Sequence, residues 1–343
     1  MIDPHGGNTY AYDRVLLDFS VNLNPLGMPE EIISAVREHA AEYDAYPDTK
    51  CRALRRAVAR REQLPESQLV FGNGAADLII RLCGALKPQK ALVAAPTFSE
   101  YESAVLQSGG EVVRFALDEA EDFKVTEAYA AAVTPDVDMV FLCNPNNPTG
   151  RLVEDDVVEA LLEACRRQHA WLVIDECFLS FTVGRSAVRL LGTYDRLLIL
   201  RAFTKMYSMA GLRLGYLICA DAAAAAAVEA YGQSWSVSTP AQVAGVAAMA
   251  LTEHPAKTRA FVREERAWLA EALEQLGLKV YPADGNFILF RSVPELWQKA
   301  MDRGIMLRSC ANFVGLDARY YRIGIKSREK NQQLLTVLAE ILR

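Results

Sequence analysis

Arg201-Ala202-Phe203-Thr204-Lys205-Met206-Tyr207-Ser208-Met209-Ala210-Gly211-Leu212-Arg213-Leu214-Gly215-Tyr216 follows an apolar run at residues 196–200. Lys205 stands just past the end of that run. Most lysines are surface solubilisers, but an amine held in a desolvated site can form a Schiff base with a carbonyl compound. Arg213, eight positions on, is of a type that clamps phosphate. A second apolar run follows at 215–219, and both read as buried strands.

Working outward, Val173-Ile174-Asp175-Glu176 puts a carboxylate at the C-terminal end of another apolar run. Open α/β sheets bind ligands at that edge. An aspartate there is a helix cap, a metal ligand or a cofactor partner. Cys143-Asn144-Pro145-Asn146-Asn147-Pro148-Thr149-Gly150 follows a further run and reads alone as a Pro/Asn/Gly turn. Phe71-Gly72-Asn73-Gly74-Ala75-Ala76-Asp77 joins a run to a helical pattern. Its small residues let helix N-terminal amides approach an anion.

Strand-length runs at 69–71, 90–94, 111–115, 139–143, 171–174, 196–200 and 215–219 alternate with helical patterns. The runs at 111–115, 139–143, 171–174 and 196–200 look too uniformly apolar for a one-sided sheet. They predict an α/β fold of three αβα layers with a mainly parallel sheet. From about residue 236 the pattern changes. A long helix at 241–276, broken near Pro255, precedes strands at 279–281, 286–291, 305–308 and 320–325, a helix at 294–303 and a closing helix. This predicts a smaller α+β unit.

The chain has 343 residues, 51% hydrophobic and 23% charged, enough for about two domains with a sizeable core. A net charge of −6 argues against nucleic acid as partner. The seven cysteines form no C-x-x-C pair and are expected as buried free thiols in a reducing, cytoplasmic setting. No signal peptide or membrane span is read. None of the four histidines stands at ligand spacing to another, so no metal site is expected.

Taken in order, these motifs resemble the fold-type-I pyridoxal-phosphate enzymes, the class I and II aminotransferase superfamily, over nearly the whole chain. The resemblance implies pyridoxal 5'-phosphate as cofactor. It makes Lys205 the lysine that attaches the cofactor, Asp175 the partner of its ring nitrogen and Asn147 the amide on its phenolic oxygen. Phe98, in Pro96-Thr97-Phe98, matches the aromatic stacked on the ring. Arg213, Thr204 and the turn Gly74, Ala75 and Ala76 match the phosphate cradle. Arg322 matches the arginine that binds the substrate carboxylate. Tyr46, in Ala45-Tyr46-Pro47-Asp48, matches a tyrosine that reaches the neighbouring subunit's phosphate, which implies a homodimer. The implied divisions are an N-terminal arm at 1–27, a cofactor domain at 28–235 and a small domain at 236–343. Phe178, Ala202 and Ala76 stand where many relatives carry hydroxyls, so somewhat looser cofactor binding is expected.

Within the superfamily the chain is similar to the branch of histidinol-phosphate aminotransferase and threonine-phosphate decarboxylase. Tyr46-Pro47-Asp48 followed by Cys51-Arg52-Ala53-Leu54-Arg55 supports the branch. Three features tilt toward decarboxylation of L-threonine O-3-phosphate. They are His5-Gly6-Gly7-Asn8 with Asp18-Phe19-Ser20-Val21-Asn22-Leu23-Asn24-Pro25, then Arg308 fourteen positions before Arg322, and Phe178. His5, Gly7, Asn22, Asn147, Arg308 and Arg322 are the expected substrate-binding residues, since a carboxylate plus a phosphate needs at least two cationic anchors. The alternative is an aminotransferase using 2-oxoglutarate. A non-enzymatic sensor on this fold would carry an added DNA-binding segment, and the motif beginning at His5 is expected to leave no room for one.

Overall fold

The computed structural model describes residues 5–12 and 15–343; residues 1–4 and 13–14 of the expected arm lie outside the described residues. Its strands in chain order are β1 (Leu17–Asp18), β2 (Leu69–Gly72), β3 (Lys90–Ala95), β4 (Glu111–Ala116), β5 (Met139–Cys143), β6 (Trp171–Asp175), β7 (Leu197–Ala202), β8 (Gly215–Cys219), β9 (Lys279–Val280), β10 (Phe287–Arg291), β11 (Ile305–Met306), β12 (Arg308–Ser309) and β13 (Tyr320–Gly324). Seven of them form one sheet in the order β2-β8-β7-β6-β5-β3-β4. Only β8 runs antiparallel to its neighbours there.

The central strands are apolar throughout because both sheet faces are covered. Leu92, Val140, Leu172 and Ile199 pack into one buried cluster, while Val93, Phe141, Val173 and Leu198 pack into another. Strand side chains alternate between faces, so each strand feeds both clusters. The expectation for 111–115 needs correction. β4 is an edge strand with Glu111 and Arg114 exposed and Val113 half-exposed. Charges on an edge are a common guard against pairing with other chains, and the three apolar residues of this run outweighed that signal.

A second sheet, β12-β13-β10-β9, is antiparallel. The expected strand at 305–308 is two strands. β11 pairs in parallel with β1, Leu17 opposite Ile305, whereas β12 pairs with β13, Arg308 opposite Arg322. Leu307, buried between them, marks the change of partner. The long helical pattern is two helices, Thr239–Ala250 and His254–Gln275, with Pro255 in the first turn of the second. A proline lacks an N–H that this position does not need.

Candidate active site

Strand register gathers the chemistry at one sheet edge. Gly72, Gly215 and Ala202 lie side by side at the ends of β2, β8 and β7. Cys143, Asp175 and Leu200 do so on β5, β6 and β7. Because β8 is reversed, its first residue sits where its neighbours end. Arg213, just before β8, therefore meets the helix that starts after β2.

That meeting is tight. Gly74, at φ +84°, caps helix Ala75–Leu86, and a Cβ on it would lie 2.5 Å from Arg213 Nη2. A Cβ on Gly215 would lie 2.8 Å from the backbone nitrogen of Ala75. Both positions need glycine, one for its left-handed backbone and the other for close approach. Arg213 donates to the carbonyls of Ala210 and Asn73. The Gly74 amide donates to the Gly72 carbonyl at 2.8 Å, so the helix-start amides of Ala75 and Ala76 and the Arg213 guanidinium form the cradle suited to a phosphate group, with Gly74 at its turn. Thr204 is buried in the short helix Phe203–Met206.

Asp175 is 5% exposed, with both oxygens engaged. Oδ2 accepts from the Tyr101 hydroxyl at 2.6 Å, and Oδ1 accepts from the Cys177 amide at 2.9 Å. Burial, with the Asp175 charge adding to it, pushes the Tyr101 pKa well up, so the phenol remains a donor. The next residue, Glu176, is tied to Arg201 on β7 at 2.8 Å. It also accepts from the Ser186 hydroxyl at 2.8 Å and the Ala187 amide at 2.6 Å. The strand ends bearing Asp175 and leading to Lys205 are thereby cross-tied.

Burial lowers the Lys205 pKa to about 8, and the charges of Arg322 and Arg213 lower it too, while Cys177 and Asp175 oppose them. Its Nζ lies 5.5 Å from the centre of the Phe178 ring, which packs edge-on against Phe287 at 5.0 Å. Phe98 packs edge-on to Tyr101 at 5.6 Å, with its centroid 6.4 Å from the His5 ring. His5 Nε2 is 3.2 Å from a Glu100 carboxylate oxygen.

Arg322 is 7% exposed and donates through Nη1 to Asn147 Oδ1 and through Nη2 to the Ser20 carbonyl at 2.8 Å. Its Nε is buried without a partner, as is Asn22 Oδ1. Burial and, less strongly, the charge of Arg308 opposite it lower the Arg322 pKa to about 10 against the pull of Cys310 and Asp18. Arg308, also buried, donates to Asn312 Oδ1 at 2.8 Å and lies over the Phe313 ring. The Gly7 amide is committed to Ser20 Oγ at 2.8 Å. His5, Gly6, Ser20 and Arg308 line a cavity of about 20 Å³. Tyr46 stands apart from these groups. It is 83% exposed, with its ring 5.0 Å from Trp235.

Two residues beyond the expected set hold the site. One is Tyr101. The other is Asn24, two positions after Asn22. Its backbone N–H donates to the Lys205 carbonyl at 3.1 Å, and its Nδ2 reaches the Met206 carbonyl at 2.7 Å and Thr258 Oγ1 at 2.9 Å. Asn24→Ala strands these buried groups and is expected to cost about 2–3 kcal/mol of stability, read from the urea midpoint. No group of three His, Cys, Asp or Glu suited to a metal occurs among the described residues. All seven cysteines are free and buried. No helix among the described residues is long and apolar enough to cross a membrane.

Residues 14–338 match the family aminotransferase class I and II. The chain is 39% identical to threonine-phosphate decarboxylase of Salmonella typhimurium over 98% of its length and 96% of the relative's. It is 30% identical to histidinol-phosphate aminotransferase 2 of Archaeoglobus fulgidus, covering 96% and 94%. Its fold is similar to the crystal structure of the histidinol-phosphate aminotransferase from Clostridium acetobutylicum, with TM-score 0.89 and 31% identity over 95% of this chain and 99% of that one.

Proposed function

Because the chain belongs to the class I and II aminotransferase family, we propose that it is a pyridoxal-phosphate enzyme that decarboxylates L-threonine O-3-phosphate to (R)-1-amino-2-propanol phosphate, a step of cobalamin side-chain synthesis. The residues present fit the cofactor. The Gly74–Arg213 cradle suits its phosphate, Asp175 its ring nitrogen, Asn147 its phenolic oxygen, Phe98 its ring face and Lys205 its aldehyde. When bound, the cofactor supplies an electron sink.

The observation that carries the reading is the pair of buried arginines facing each other across β12 and β13. Like charges directly opposite each other destabilise a sheet, and a substrate with two anionic groups removes that cost. In this reading Arg322 takes the carboxylate through the edge that now holds Asn147, and its orphaned Nε gains a partner. Arg308, with His5 from the arm, takes the phosphate, and the small cavity between them opens to admit it. Gly7 and Ser20 set the arm against Arg322, and Asn22 offers its unpartnered oxygen to the substrate amine. Lys205 Nζ, its pKa lowered to about 8 by burial and the nearby arginines, can give and take the proton at the reacting carbon. The packed aromatic wall of Phe178 and Phe287 excludes water. Tyr46 completes the phosphate cradle of the other subunit in a homodimer, acting in the reducing cytoplasm that seven free thiols suit.

The test supplies threonine phosphate without any oxo-acid, and separately histidinol phosphate with 2-oxoglutarate. Carbon dioxide release in the first arm is the expected result. Glutamate in the second arm without carbon dioxide in the first makes the chain an aminotransferase, the reading favoured by its likeness to the Archaeoglobus relative.

The Lys205 amine also makes a pH prediction. A group with pKa about 8 is half neutral at that pH, whereas an ordinary lysine titrates near 10.4. Only the neutral amine attacks an aldehyde, so the rate of cofactor uptake by cofactor-free protein should rise with pH around a midpoint near 8. Arg213→Gln removes one lowering charge and should move the midpoint upward. Stopped-flow absorbance of added pyridoxal phosphate reads both.

A further inference from the structure

Helix His254–Gln275 places Arg259, Arg263 and Arg266 on one wall of a cleft of about 280 Å³ that shares no residue with the candidate active site. This volume is near the lower end of small-molecule sites, roughly 300 Å³. The spacing of four and three residues keeps the arginines on one helix face. Ala256 and Ala260, on the same wall, leave room between the arginine stems.

The positive charge there is poorly answered. Among the described residues no carboxylate lies within 4 Å of these three guanidinium groups. Asp284 borders the cleft with Oδ2 accepting from the Leu152 amide at 2.9 Å, so one carboxylate answers three arginines. Arg266 is held in place by donating to the carbonyls of Asp284 and Gly285 at 2.6 and 2.8 Å. Arg259 reaches the Ser180 carbonyl at 3.4 Å. Burial lowers the Arg266 pKa, Asp284 partly restores it and Arg263 lowers it again. The rest of the lining is Leu152, Phe181, Thr182 and Val183, mostly apolar, with Phe181 buried and Val183 87% exposed.

We propose that this cleft is a second ligand site, for a small phosphate monoester with an apolar or aromatic body. The arginines take the dianion, as guanidinium groups do with matched oxygen pairs. The apolar part of the lining covers the body.

The test is calorimetric titration of the purified protein, as expressed with its cofactor, with phenyl phosphate and with inorganic phosphate at matched ionic strength. Phenyl phosphate is expected to bind about tenfold more tightly than inorganic phosphate, because its ring buries apolar area. The double variant Arg259→Ser/Arg263→Ser should weaken phenyl phosphate at least about tenfold. Arg308→Gln, on the active-site arginine, should leave that binding in place. Equal binding by the double variant and the unaltered protein overturns the proposal. So does loss of all binding in Arg308→Gln, which assigns the anion to the active site. Val183→Glu sets a carboxylate on the lining without touching the helix. It should weaken binding too, and unchanged binding in it counts against the proposal even if the double variant fails to fold.

Discussion

Turnover by the Lys205→Ala variant is expected to fall by at least about 10⁴-fold, because one amine serves both as nucleophile and as proton carrier. Single-turnover assays with threonine phosphate read this, and activity within a hundredfold of the parent would remove Lys205 from the chemistry. The same side chain makes an opposite prediction for stability. Its folded pKa, about 8, lies below the ordinary lysine value. The unfolded chain therefore binds more protons between pH 8 and about 10.4, and stability of the cofactor-free protein rises with pH across that window. Below pH 8 the full penalty for burying the ammonium applies. Lys205→Met, which keeps the stem and drops the charge, should raise the urea midpoint of the cofactor-free protein most below pH 8. The gain should vanish above about pH 10.4. Catalytic sites commonly carry such costs.

Asp175→Asn should lower turnover by about 10³-fold with the fold intact. A unit-charge pair at ~4 Å in an effective dielectric near 20 is worth roughly 4 kcal/mol, or about three pKa units on a paired ring nitrogen. The amide keeps both local contacts. Its oxygen can accept from the Cys177 amide, and its NH₂ can donate to the Tyr101 oxygen. The thermal midpoint should accordingly move by only a few degrees while turnover collapses. A parallel loss of folding would mean that Asp175 is a structural cap. Tyr101→Phe separates orientation from charge, since it removes one hydrogen bond and leaves the carboxylate.

The positions of Lys205, Asp175, Arg213 and Asn147 at one sheet edge were legible from local order, because Asp175 ends a buried strand, Lys205 and Asn147 follow such strands, and Arg213 precedes the reversed β8; their roles came from the motif resemblance. Tyr101 and Asn24 were not legible in this way. Tyr101 meets Asp175 across 74 positions, and Asn24 meets Met206 across 182. Nothing in the composition around either residue marks such a partner. The strand errors have a similar origin. β4 shares the apolar residues of a central strand, and only its place at the sheet edge exposes Val113. Residues 305–308 read as one strand because the change of partner at Leu307 depends on β1, nearly 290 positions earlier. The exposure of Tyr46 and the contacts of Arg308 likewise depend on packing rather than on motif.

The pairing of β1 with β11, and of the Ser20 carbonyl with Arg322 across 302 positions, bears on how the protein is made. At a synthesis rate of roughly 5–20 residues per second, the segment around Ser20 leaves the ribosome about 15–60 s before its partner is built. The strands that carry Asp175 and lead to Lys205 are complete well before then and can pack on their own helices. The arm must wait in solution until β11 and β13 arrive. Long-range closure is the slow kind of contact formation, so the nascent chain acquires a folded sheet before it acquires a working catalytic centre. An incomplete product ending before Arg322 therefore lacks the arginine pair, and its Lys205 loses the Arg322 charge and part of the burial that lower its pKa.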